Sequence, residues 1–131
     1  MPTIVSPETL APPRGYSNGI TYEAGRLLFV AGQIGWDREM NFPSDDMPGQ
    51  FEQALRNVLA VVTEAGGAPE HIARFTIYVT DKPAYIRGAK DIGVRYREQM
   101  GKHYPAMTLV EVKSLLEARA LVEIEATAVL P

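Results

Sequence analysis

Between residues 48 and 80 the spacing of apolar side chains switches from a helical to a strand period. That switch limits the chain to folds that lay helices on a sheet. Phe51, Leu55, Val58, Leu59 and Val62 recur at three- and four-residue steps, which gives one apolar stripe along a helix. The spacing predicts this helix from Pro48 to Ala65. Asp45 and Asp46 precede it, where acidic groups favour a helix N-terminus. Gly66-Gly67 follows it, since glycine accepts the left-handed backbone past a helix C-terminus. From Ile72 to Thr80 the pattern changes. Phe75, Ile77 and Val79 fall on one face and Arg74, Thr76 and Tyr78 on the other, as in a half-buried strand.

The remaining segments extend this strand–helix alternation. Residues 1–19 carry Pro2, Pro7, Pro12 and Pro13 and read as an extended lead-in. Ile20–Glu23 and Leu27–Gln33 flank the turn signal Gly25-Arg26 and read as a hairpin. Asp37 to Pro48 is a polar loop. Asp81-Lys82-Pro83 opens a second helix, with Pro83 in its first turn; Ala89, Val94 and Met100 form its apolar face and Gly101 ends it. Leu109–Val112 and Leu121–Leu130 close the chain as strands, with Glu123 and Glu125 alternating against Val122, Ile124 and Ala126. The expected order is β-β-α-β-α-β-β over a single domain, residues 1–131. This is an α+β architecture with two helices on one face of a mixed sheet.

Composition excludes several classes of function. The net charge is −3, and no Lys/Arg cluster exceeds two residues, so the chain lacks the basic face that nucleic-acid binders use against phosphates. It has no cysteine, which removes disulfides, thiolate ligands and a cysteine nucleophile. No stretch approaches the ~20 apolar residues needed to span a membrane, and Met1–Leu10 has no signal-peptide pattern. A cytoplasmic protein is the expectation. His71 and His103 lack acidic partners at metal-ligand spacing and read as solvated loop residues. Neither a metal nor a cofactor is expected. Trp36 reads as a packing residue at a subunit interface or sheet edge, or as the lining of a cleft.

Four short segments then recur in a familiar order: Arg14-Gly15-Tyr16-Ser17, Ala31-Gly32-Gln33, Tyr104-Pro105-Ala106-Met107-Thr108 and Val122-Glu123-Ile124-Glu125-Ala126. Together they resemble the Rid/YjgF deaminase family over nearly the whole chain, from Arg14 to Leu130. The resemblance implies a chorismate-mutase-like domain that assembles as a homotrimer with three clefts between subunits. It implies a hydrolytic deaminase acting on a small-molecule enamine or imine. It also leaves open a non-catalytic small-molecule binding or regulatory trimer. An endoribonuclease reading, which the family also suggests, conflicts with the acidic balance.

Roles follow from the resemblance position by position. Glu123 either matches the cleft glutamate that holds the attacking water or, with Glu125, forms the solvated face of an edge strand; Glu125 reads as part of that solvated face. Tyr16 either lines the cleft or packs as a half-buried interface tyrosine. Gly32 and Gln33 bring backbone close to the substrate, although a strand glycine also marks a bulge. Met107 stands where the family carries an arginine that grips a substrate carboxylate. A thioether makes no bidentate, charge-assisted contact, and losing one in a desolvated site costs on the order of 2–5 kcal/mol. An apolar pocket floor and a more hydrophobic ligand follow. Arg14 replaces a small residue beside Tyr16. It either supplies the missing positive charge or lies on the surface.

Overall fold

The helix that the stripe predicts is present. In the computed structural model, which describes residues 2–131, α1 spans Met47–Glu64. The Asp46 side chain caps it by accepting from the Gly49 backbone N–H at 2.9 Å. That contact satisfies one of the donors a helix N-terminus leaves open, and it holds the Asp46 carboxyl below its usual range. Phe51, Leu55, Val58 and Val62 are buried. They pack on a four-stranded sheet of order β3-β6-β4-β5, made of β3 (Arg26–Ile34), β4 (Ile72–Val79), β5 (Ala106–Glu111) and β6 (Val122–Leu130).

β6 lies antiparallel between β3 and β4, and β4 pairs parallel with β5. β3 and β4 therefore run the same way on either side of β6, joined by α1. A second crossover joins β4 to β5. The sheet is mixed, as expected, and the helices cover one face of it. Phe75, Ile77 and Val79 of β4 and Val122, Ile124, Ala126 and Ala128 of β6 fill the core beneath them.

Five expectations need correction. The first is the hairpin. Ile20 belongs to β2 (Gly19–Thr21), which pairs with β1 (Thr3–Val5) in a separate two-stranded sheet, with Ile4 opposite Ile20. The cause lies just beyond β2. The Tyr22 hydroxyl sits 2.8 Å from the carbonyl oxygens of both Glu70 and Ile72, at the turn of 3-10 helix Pro69–His71 that leads into β4. One hydroxyl hydrogen donates to one of these at a time, and the contact draws β2 away from β3. The lead-in thus contains a strand.

The second correction is the helix count. The segment after Asp81 is two helices, α2 (Lys82–Arg87) and α3 (Ala89–Met100), divided at Gly88. A Cβ on Gly88 would meet Pro48 Cγ of α1 at 3.0 Å, so the break lets α1 approach closely. Third, α3 buries Ile92, Tyr96 and Met100, while Val94 is 42% exposed. Fourth, the histidines are bonded into the fold. His103 Nε2 lies 2.7 Å from the Ile72 carbonyl oxygen, and His71 Nδ1 accepts from the Ala68 N–H at 2.9 Å. Fifth, strand β5 begins at Ala106, three residues ahead of its predicted start.

Candidate functional site

Glu123 owes its position to strand alternation. Val122 and Ile124 turn inward, so Glu123 turns to the face that no helix covers. Its partner in register on β4 is Tyr78. On the other side, β3 and β6 slip register between Val30 and Gln33, which is a bulge containing Gly32. A Cβ on Gly32 would lie 1.9 Å from Glu123 Oε2. The glycine therefore lets the carboxylate rest on the β3 backbone; the bulge reading holds, and the space over Gly32 is taken by Glu123 of the same chain.

Around the carboxylate is a groove of about 320 Å³, lined by Gly32, Gln33, Trp36, Leu116, Glu117 and Glu123 among others. It carries two acidic side chains and no basic one. Leu116 is 95% exposed at its rim. Among the described residues, Glu123 makes no side-chain hydrogen bond, so its oxygens are available to an incoming donor. Glu125, one step along the same face, has a partner: the Tyr78 hydroxyl donates to Glu125 Oε1 at 2.6 Å. That hydrogen bond raises the Tyr78 pKa, with smaller contributions from burial and from the charges of Glu125 and Glu123.

Two amides on α1 hold the walls of this groove. Gln50 is buried. Its Nε2 donates to the carbonyls of Ser44 and Arg119, at 3.2 and 3.0 Å, and its Oε1 accepts from the Leu121 N–H at 2.8 Å. Asn57 Nδ2 donates to the carbonyls of Ile34 and Trp36, both at 2.9 Å. One amide thus fixes the chain entering β6 and the other fixes the chain leaving β3. Outside them, the Trp36 and Phe42 rings lie 6.1 Å apart, and Arg119 stacks on Phe42 while pairing with Asp45. Trp36 therefore both packs and lines the groove. The amides were visible in the sequence as polar residues seven apart on an otherwise apolar helical face.

Met107 lies elsewhere. It is paired in register with Phe75 and packs against the core, on the face of the sheet opposite Glu123. It helps line a second pocket, of about 260 Å³, with Gly15, Tyr85, Tyr96, Arg97 and Tyr104 among its other walls. The Tyr96 and Tyr104 rings stack at 5.2 Å, and Tyr96 donates to the His103 carbonyl at 2.7 Å. Burial raises the pKa of both Tyr85 and Tyr96, so their phenols stay neutral. The segment carrying Tyr16 is brought here by Ser17, whose N–H donates to the Pro105 carbonyl at 3.1 Å and whose hydroxyl donates to the Tyr104 carbonyl. Tyr16 is 41% exposed. Arg14 is exposed as well, and Gly15 rather than Arg14 lines the pocket.

Within one chain, then, the predicted residues fall into two groups. Glu123, Gly32 and Gln33 share the groove on the open face of the sheet. Met107 and the Arg14–Tyr16 segment gather at the other pocket. Arg97, on α3, also lines the second pocket. Among the described residues, no helix is long and apolar enough to cross a membrane.

Comparison with known proteins accords with this architecture. A family profile described as Endoribonuclease L-PSP matches residues 6–130. A RutC family protein of Pyrococcus horikoshii is 33% identical over 98% of both chains. A Salmonella typhimurium protein named 2-iminobutanoate/2-iminopropanoate deaminase is 30% identical over 87% of this chain and 86% of its own length. Among solved structures, a conserved Rid-family protein of unknown function from Yersinia pestis superposes with a TM-score of 0.87, at 31% identity over 98% of each chain. With the mixed sheet, its helical cover and these relatives in agreement, the chain belongs to the Rid/YjgF family.

Proposed function

We propose that the protein is a hydrolytic deaminase of an enamine or imine, with a substrate preference altered by Met107. The observation that carries this reading is the Glu123 carboxylate, seated on Gly32 in an open groove with no side-chain partner of its own. A carboxylate so placed accepts a proton from water while the water oxygen bonds to the imine carbon. The protonated Glu123 hands that proton to the imine nitrogen to complete a carbinolamine, then takes the hydroxyl proton and passes it to the same nitrogen as the C–N bond breaks, so ammonia leaves and a carbonyl product remains. Gln33 and the backbone at Gly32 orient the substrate, and Tyr16 covers it. The Salmonella relative's name supports the reaction class.

In this proposal the working unit is a homotrimer, in which the groove of one protomer and the Met107 pocket of the next form one cleft. Support comes from the uncovered sheet face, where Phe29 is 72% and Leu27 60% exposed. Apolar side chains so grouped favour burial against another surface. Light scattering on the purified protein is expected to give three times the chain mass.

The catalytic test is ammonia release from a panel of imines and enamines generated in situ, compared with Glu123→Gln. Turnover by the parent protein and its loss in the variant are expected. A second reading, a non-catalytic small-molecule binding protein, draws on Met107, since the aromatic and thioether lining suits an apolar ligand. If ligands raise the melting temperature while no member of the panel releases ammonia, the second reading replaces the first.

A further inference from the structure

The Met107 pocket contains a cation that none of its neighbours neutralises. Arg97 lies one helical turn beyond Gly93 on α3. A Cβ on Gly93 would be 3.4 Å from Arg97 Nη1, so the guanidinium folds back along the helix and lies over the glycine at the pocket wall. Its near neighbour differs. Arg95 is paired with Asp91 at 3.1 Å and with Glu52 at 3.0 Å. Among the described residues, Arg97 makes neither an ion pair nor a side-chain hydrogen bond. The rest of the lining is apolar or aromatic: Ile92, Met107, the stacked Tyr96 and Tyr104, and the neutral phenol of Tyr85.

We propose that this pocket binds an organic carboxylate with an apolar or aromatic body, and that Arg97 receives its anionic end. A guanidinium presents several N–H donors in a plane that matches a carboxylate. Tyrosine rings and a thioether supply flat and adaptable apolar surface for the body. The Glu123 groove carries Glu117 and Glu123 and no base, so it repels the charged end of such a molecule. The two pockets thus sort the ligand's ends by charge. On the proposed cleft, in which Met107 floors the substrate site, the substrates are imines of bulky, apolar oxo acids. Arg97 then serves as the substrate-binding cation in place of the arginine absent at Met107.

The test is calorimetric binding of three probes, benzoate, benzamide and acetate, to the parent protein, Arg97→Gln and Arg95→Gln. Benzoate is expected to bind the parent, to bind Arg95→Gln equally, since Arg95 is paired with Asp91 and Glu52 away from the pocket, and to bind Arg97→Gln about five- to tenfold more weakly. That range reflects a partly solvent-screened ion pair. Benzamide is expected to bind the parent and Arg97→Gln alike. Acetate is expected to bind much more weakly than benzoate. The proposal is overturned if benzoate does not bind the parent protein, or if Arg97→Gln leaves its affinity unchanged. Equal affinities for acetate and benzoate would remove the apolar body from the assignment. Arg97-dependent benzoate binding without any ammonia release would uphold this site and overturn the deaminase reading. Ammonia release with Arg97-independent binding would do the reverse.

Discussion

The two faces of the four-stranded sheet come from the same strands and answer to different constraints. The covered face is aliphatic and aromatic, and α1 and α3 bury most of it, leaving Met107 partly exposed at its pocket. The open face sets Glu123, Glu125 and Tyr78 among Leu27, Phe29 and Val110. On the covered face each side chain is held by the volume around it. On the open face position comes from register, a bulge and one hydrogen bond. Stability therefore concentrates on one side, while the proposed general base stands on the other. Antiparallel strands with one solvated face allow that separation, since neighbouring residues point in opposite directions.

The difference between the faces can be broken from either side. The largest effect expected is from Phe75→Ala, which empties a fully buried site beneath α1 and α3. Denaturant unfolding should show a loss of about 3–5 kcal/mol. Next comes Glu123→Gln. A general base contributes at least about 100-fold to turnover, roughly 2.7 kcal/mol of barrier, and the substitution is expected to leave the unfolding midpoint nearly unchanged. A large drop in stability from this exposed-face change would contradict the division of labour. Gly32→Ala sharpens the comparison. Its methyl group would displace the Glu123 carboxylate, and a fall in kcat of about tenfold is expected, on the order of 1.4 kcal/mol.

Asp46→Ala should have the smallest effect. Removing the α1 cap is expected to cost about 1 kcal/mol, read by thermal melting. The same contact has a pH signature. Its folded pKa lies below the ordinary 3.8, chiefly through the Gly49 N–H. A lowered pKa means the stabilisation is complete above 3.8 and fades as pH falls through the folded value. The parent protein and Asp46→Ala should therefore converge in stability in strong acid and differ at neutral pH.

How far the sequence discloses this molecule depends on the range of the interaction. The α1 stripe and the β4 and β6 alternations are local periodicities, and both crossovers were legible from them. So was the side of β6 on which Glu123 stands. The β1–β2 pairing was not, because Tyr22 reaches carbonyls about fifty residues away and no local pattern records that contact. Val94 was misread because a helix as polar as α3 offers a weak stripe; Ile92, Tyr96 and Met100, at steps of four, carry the buried face. Gly32 was recognised as special, but the carboxylate it accommodates is 91 positions later and is brought there by register. Arg97 was hidden for a rotameric reason, since its direction depends on the bare Gly93 one turn back.

Gln50 and Asn57 grip main-chain atoms at Ile34, Trp36, Ser44, Arg119 and Leu121. A hold on peptide groups is indifferent to what those residues display. Selection, or a protein engineer, can therefore redecorate the two flanking loops one side chain at a time, Trp36 and Leu116 included, and try new specificities on a frame that does not shift.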